Sequence, residues 1–317
     1  MKQLFLGVDG GQSSTTALIG DETGRVLGVG TGGPCNHVSV AEGPGKLSRT
    51  VQECLMAACA GAGLDAATIH FRAACFGMSG GPADKEGILA QLLSADRLVV
   101  TNDAVIALSG ATAGEPGIIT IAGTGSIGFG RSASGRTARV GGWGHIFGDE
   151  GSGFDIARQA LRAALRMEEG WGPPTSLHRL LLEASGATDA NELLHLFYSD
   201  DWPRSRVARL APLVDGAAQS GDAVALDLIH QAAHSLALIG VSVRHQLWKA
   251  GELVTVAHIG GVFRSAILLE RYRQLIELEE GMRCGRPLYG PAAGALLEAY
   301  RVANLHPTLT DLPEFKA

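Results

Sequence analysis

The stretch that decides the fold is Gly117–Gly153, GIITIAGTGSIGFGRSASGRTARVGGWGHIFGDEGSG. An apolar, β-prone run, Ile118 to Ile121, breaks into Ala122-Gly123-Thr124-Gly125-Ser126. A second apolar piece covers Ile127 to Gly130, Ser132 to Gly135 is a polar turn, and Arg136 to Val140 is a third short strand. The expected order is strand, glycine turn, strand, polar turn, strand. Glycines at the first turn let a ligand approach the backbone closely. Thr124 and Ser126 bring hydroxyls and N–H groups to the same place, which suits an anion. Taken alone, the turn is equally compatible with an ordinary glycine hairpin. The pieces GGWGH (141–145) and GDEGSG (148–153) then mix glycine with Trp143, His145, Asp149 and Glu150. That mix is poor core material and good ligand-loop material.

The N-terminal region repeats the plan. Residues 4–8 (LFLGV) form an apolar strand, Asp9 to Thr15 a glycine and hydroxyl turn, and Thr16 to Gly20 a second strand. A polar turn, Glu22-Thr23-Gly24, leads into a third strand, Arg25 to Gly30. The repeat is weak in residue identity and strong in order and spacing, so two domains on one topology are expected. Two phosphate-type turns, one per half, would then face a central cleft.

Length and composition bound the rest. A chain of 317 residues suggests two domains, and 46% hydrophobic residues suit a globular protein. Its 44 glycines are about twice the usual share of roughly 7%. A net charge of −6 with no basic block argues against a nucleic-acid partner. No run of about 18 apolar residues occurs, so no membrane partner is expected. MKQLFLGVDGG lacks a long apolar run and a cleavage site, so no signal peptide is expected. Five cysteines without paired spacing read as reduced thiols in the cytoplasm. Cys54 and Cys59 read as small buried hydrophobes.

Between the two turns, a helix is expected from Pro44 to Gly61, with Leu47, Val51, Leu55 and Ala58 on one face. Strands Phe71 to Met78 and Arg97 to Thr101 enclose a helix near Lys85 to Leu93. The second strand delivers Asn102 and Asp103 to its C-terminal end, where α/β proteins place ligands. A short helix covers Val105 to Ala113, and Gly114 to Gly117 is the expected boundary. Further on come a helix at Phe154 to Glu168, two short helices, and a long one at Asp222 to Lys249. Its stripe Val224, Leu228, Ala232, Leu236, Ile239, Val243 and Leu247 faces a core. His230, His234 and His245 on it lack a metal-site pattern and read as structural. Val254 to Ile259 is a strand ending in GGVFRS (260–265), and Pro291 to Asn304 is a last helix. Strands alternating with helices in both halves make the class α/β.

Asp9-Gly-Gly-x-Ser, Asn102-Asp103, Gly123-Thr124-Gly125-Ser126, Gly260-Gly261 and Pro291-Ala-Ala-Gly-Ala together resemble the five-part pattern of the sugar kinase, Hsp70 and actin superfamily. Within it the chain is similar to the BadF/BadG/BcrA/BcrD ATPase-like group and to its N-acetylglucosamine kinases. Asn36-His37, AGTGS (122–126) and GGWGHIFGDEGSG (141–153) carry that likeness. The resemblance implies two ribonuclease H-like, actin-like ATPase domains around a central cleft. They would span 1–114 and 115–317, with the segment 291–317 free to pack back on the first. It implies ATP and Mg²⁺ as cofactors and an amino sugar, N-acetylglucosamine foremost, phosphorylated on its 6-hydroxyl. Glucosamine, N-acetylmuramic acid and glucose are the alternative acceptors. A different alternative is an ATPase that activates a partner reductase or dehydratase, although no suitable cysteine pair occurs here. A homodimer is compatible with the family.

Residue by residue, the resemblance assigns Gly10, Gly11, Gln12 and Ser13 to the first phosphate loop, where Gln12 stands in place of the usual Gly. Thr124 and Gly125 fall in the second loop, and Gly260, Gly261 and Ser265 in the adenosine-side loop. Asn36, Gly125, Trp143, Gly144 and Asp149 fall to the sugar, Asp103 to the catalytic base and Asp9 to the metal. The chemistry is consistent, because phosphoryl transfer demands positioning and charge neutralisation more than covalent steps. A sugar hydroxyl needs a proton acceptor, which Asp103 can supply. Asp103 and Asp149 are also good N-cap residues for the helices that follow them, Asn36 suits a turn and Trp143 a core, so those roles stay open.

Overall fold

The computed structural model describes residues 2–11, 14–35, 43–80 and 85–315. Gln12, Ser13 and Asn36, three of the expected ligand residues, lie outside the described residues.

The chain opens with β1 (Leu4–Gly10), β2 (Thr15–Asp21) and β3 (Val26–Gly32), an antiparallel meander. α1 (Gly43–Ala62), β4 (His70–Phe71), β5 (Ala73–Met78), α2 (Glu86–Leu89), β6 (Ser94–Ala95), β7 (Leu98–Asn102) and α3 (Asp103–Ala111) follow. The sheet order is β3-β2-β1-β5-β7, with β5 parallel to both of its neighbours. Alternation explains the layering. Leu6 and Val8 join the buried stripe Leu47, Val51, Leu55 and Ala58 of α1 on one face. Phe5 points to the other face. Each such large side chain contributes about 1.5–3 kcal/mol on burial. The helix expected over Lys85 to Leu93 is confined to α2. Beyond Leu89 the chain turns to pair Ser94 and Ala95 with His70 and Phe71, and these ladder bonds replace further helical turns.

A second unit repeats the plan. β8 (Gly117–Ala122), β9 (Ser126–Arg131) and β10 (Thr137–Gly141) form its meander. Six helices come next: α4 (Gly153–Glu168), α5 (Leu177–Ser185), α6 (Ala190–Phe197), α7 (Arg204–Ala208), α8 (Ala211–Gln219) and α9 (Ala223–Leu247). β11 (Val254–Ile259), a 3₁₀ turn (Gly261–Arg264), α10 (Ala266–Leu278) and β12 (Met282–Gly285) complete it. The order β10-β9-β8-β11-β12 and its strand directions match the first sheet one for one. Helices α7 and α8 and strand β12 have no counterpart in the sequence-based expectation. Among the described residues, α9 alone is long and apolar enough to cross a membrane. Its Ile229, Ala233, Leu236 and Val243 are buried in the core of this unit. His245 on α9 pairs with Glu279 at 2.8 Å.

The last helix, α11 (Pro291–Val302), belongs to the first sheet. The two compact units are Met1–Pro116 with Arg286–Ala317, and Gly117–Gly285. The division therefore falls at 116/117 and again at 285/286. The reason is packing. Gly294 presses on the carbonyl of Ile106, a place where any Cβ would collide, and Tyr300 donates its hydroxyl to the Asp21 carbonyl at 2.7 Å.

Candidate active site

In the first unit, β1 carries Asp9 opposite Thr16 of β2 and Gly77 of β5. Burial, joined by the negative charge of Asp103, pushes the Asp9 carboxyl up to about 7. Asp9, Thr16, Thr31, Gly290, Pro291 and Phe315 line a cavity of about 480 Å³. The start of α11 and the C-terminal segment thus border Asp9. Gly11 donates its N–H to the Ser14 carbonyl at 3.0 Å.

Asp103 is the first residue of α3, and it does not cap that helix. Asn102 has extended backbone (φ −86, ψ 161), and its side chain accepts the Val105 N–H at 3.0 Å. The Asp103 carboxylate is left to accept the hydroxyl of Ser79 at 2.8 Å. Sequence reasoning treats Ser79 only as the end of a strand. The capping reading of Asp103 is thereby excluded.

In the second unit, the turn between β8 and β9 is held by the segment after β10. Gly153 donates to the Gly123 carbonyl at 2.8 Å, and Gly123 to the Gly125 carbonyl at 2.9 Å. Ser126 donates its N–H to Oδ1 of Asp149 at 3.1 Å and its hydroxyl to the Glu150 carbonyl at 2.7 Å. Two of the turn's N–H groups are therefore used internally. Those of Thr124 and Gly125 have no such partner among the described residues.

Thr124, Gly261 and Ser265 open on one cavity of about 570 Å³, together with Ile229, Arg209 and Asp215. That volume is of the size that holds a small-molecule ligand. The glycine turn and the GGVFRS loop, far apart in sequence, share this wall. Gly260 sits at φ +116 with its α-carbon against the backbone of Ala122, a place open only to glycine. Ser265 has a second duty: its oxygen accepts the Leu268 N–H at 3.1 Å, capping α10, and its hydroxyl donates to Asp215.

Asp149 has φ +64 and is 3% exposed. It does not cap α4; Ser152 does, accepting the Asp155 N–H at 3.2 Å. One Asp149 oxygen takes the Ser126 N–H and the other takes the guanidinium of Arg204. Trp143 is 71% exposed, which excludes the core reading, and the Arg139 guanidinium lies over its ring at 5.1 Å. Gly144, beside it, accepts the Gly148 N–H at 2.8 Å. Sequence reasoning misses Arg204 and Asp215. The only local signal is Pro203, at the N-cap position before α7.

An N-acetylmuramic acid/N-acetylglucosamine kinase of Clostridium acetobutylicum is 32% identical over 292 residues, covering 86% of this chain and 90% of that one. An N-acetyl-D-glucosamine kinase of Dictyostelium discoideum is 32% identical over 254 residues, 74% of this chain and 77% of that one. Among solved structures, a candidate N-acetylglucosamine kinase of Chromobacterium violaceum superposes with a TM-score of 0.75 at 28% identity, over 93% of this chain and 98% of that one. The fold is that of the actin-like ATPases and sugar kinases. The pattern of the BadF/BadG/BcrA/BcrD ATPase family matches residues 6–299, nearly the whole sequence, and the chain belongs to that family.

Proposed function

We propose that this protein is an ATP-dependent kinase of amino sugars that phosphorylates the 6-hydroxyl of N-acetylglucosamine. The observation that carries the proposal is the single cavity shared by Thr124, Gly261 and Ser265. It joins an anion-type turn to an apolar wall, as a nucleotide requires. The kinase relatives of known acceptor support the choice of sugar. A cytoplasmic setting, with its ATP and reduced thiols, belongs to the same reading. So does a homodimer.

In this reading Thr124 and Gly125 present N–H groups to phosphate oxygens. Gly261 and Ser265 border the adenosine. Trp143, Gly144 and Asp149 face the sugar. Asp103 takes the proton of the attacking hydroxyl as that oxygen bonds to the γ-phosphorus and ADP leaves. Asp9 fits a divalent cation. Its carboxyl is pushed up by burial and by a like charge, and a cation would relieve both. Mg²⁺, when bound, would offset phosphate charge there. Because both Asp149 oxygens are engaged, a sugar hydroxyl competes with Arg204 for this carboxylate.

The test is ATP-coupled turnover over N-acetylglucosamine, N-acetylmuramic acid, glucosamine and glucose, with Mg²⁺ present. The highest kcat/KM is expected for N-acetylglucosamine. A folded protein that turns over none of the four overturns the kinase reading, and a preference for glucose overturns the amino-sugar assignment.

A further inference from the structure

Arg204 begins α7, in the region with no sequence signal for function. Its guanidinium lies directly over the second glycine turn. A side-chain atom added to Gly125 would collide both with Nη2 of Arg204 and with the Asp149 carboxylate. Arg204 is 31% exposed, while its partner Asp149 is almost sealed. Ser205 and Ala208, on the same short helix, line the cavity that Thr124 opens on.

Two features argue that this is more than a clamp. The Arg204 Nε–H is buried and has no partner among the described residues. An arginine has five donors in a fixed fork, matched to planar or tripodal anions. Here one donor of the fork, on Nη2, is engaged by Asp149, and the guanidinium stands over the turn whose Thr124 and Gly125 N–H groups lack protein partners among the described residues.

We infer that Arg204 is a catalytic residue that contacts the phosphoryl group in transfer, and that Asp149 holds it in readiness. The inference rests on the kinase reading above. A sugar hydroxyl that takes an Asp149 oxygen releases the guanidinium toward the phosphoryl held at Thr124 and Gly125. Charge that builds on the transferred group then meets a fixed cation in place of water. No bond to Arg204 forms or breaks, and the proton still goes to Asp103. Arg204 thereby links occupancy of the sugar site to transfer, which disfavours loss of the phosphoryl group to water.

The experiment compares Arg204→Met and Arg204→Lys with the unaltered chain. It measures turnover of N-acetylglucosamine and calorimetric binding of ADP and of the non-hydrolysable analogue AMPPNP, both with Mg²⁺ and saturating N-acetylglucosamine. For Arg204→Met, kcat should fall about 10²–10³-fold, the usual loss for one transition-state donor. AMPPNP should bind roughly 10- to 100-fold more weakly, as for one lost charged hydrogen bond, while ADP stays within about twofold. Arg204→Lys keeps a cation beside Asp149 and preserves the fold. It should still lose at least about tenfold in kcat, because an ammonium has no fork. If Arg204→Met is unstable, the Lys variant carries the test by itself. Equal weakening of ADP and AMPPNP, or a Lys variant with full kcat, overturns the assignment. An unaltered chain that phosphorylates no sugar overturns the kinase reading instead, and the two failures are distinct.

Discussion

The hydroxyl of Ser79 donates to Oδ2 of Asp103 at 2.8 Å, across 24 residues of sequence. Ser79 is itself buried at the end of β5, its N–H fixed on the Gly10 carbonyl at 3.1 Å. The bond thus ties the proposed base to the strand ends beside Asp9. It holds one carboxylate oxygen; the other has no partner among the described residues and is the one proposed to accept the proton.

Asp103→Asn should reduce kcat by about 10²–10⁴, the usual loss for a general base. The sugar KM should change little, because the amide still hydrogen-bonds. Ser79→Ala should lower kcat roughly 10- to 100-fold through loss of one hydrogen bond to a charged carboxylate, worth about 1.5–3 kcal/mol. Steady-state kinetics on both variants decides the matter, and an Asp103→Asn protein with more than about a tenth of wild-type kcat contradicts the base role.

Capping of α3 separates from catalysis at adjacent positions. Asn102→Ala should destabilise the protein by about 0.5–2 kcal/mol. Asp103→Ala should leave the melting temperature close to that of the wild type, since its side chain caps nothing. Thermal unfolding of the pair is the measurement, and the reverse ranking would reassign the cap.

Asp9 gives a pH signature in magnesium-free buffer. Its folded pKa of about 7 lies above the ordinary 3.8, so between those values the folded chain holds more protons than the unfolded one. Stability from this group is therefore complete below about pH 4 and is lost as pH rises toward 7. The loss is on the order of 4 kcal/mol at most. Asp9→Asn removes the penalty. The variant should melt higher than wild type at pH 8 and alike at pH 4. The same difference at both pH values would show that Asp9 does not titrate in this window.

Gly260→Ala probes the shared cavity wall. The new methyl group would strike the Ala122 backbone, which forces the GGVFRS loop away from the turn at Gly123. Strain of this kind costs about 1–3 kcal/mol. ADP affinity should fall roughly 5- to 100-fold with a smaller change in sugar KM. Calorimetry with ADP checks this, and an unchanged affinity would detach the loop from the nucleotide.

Both meanders were legible because their information is local. Period-two apolar alternation and glycine turns in 4–30 and 117–140 depend on neighbours a few residues away. The stripe on α1 and the long α9 were equally visible for the same reason. The cap of α3 was local yet ambiguous, since Asn102 and Asp103 are both good caps. Ser79 and the extended backbone of Asn102 settled it.

The sequence by itself determined the doubled strand-turn plan, the α/β class and the residues gathered at the turns, because backbone sterics and side-chain periodicity act over short range. Only the tertiary structure decided which of those residues are engaged with one another. Arg204 reaches Asp149 across 55 residues. α11 crosses back to the first sheet because Gly294 and Tyr300 fit there and nowhere local. The Gly123 turn meets the Gly261 loop only because β11 pairs in parallel beside β8. Such contacts depend on closing long loops against a formed core, and no short window of sequence carries that term.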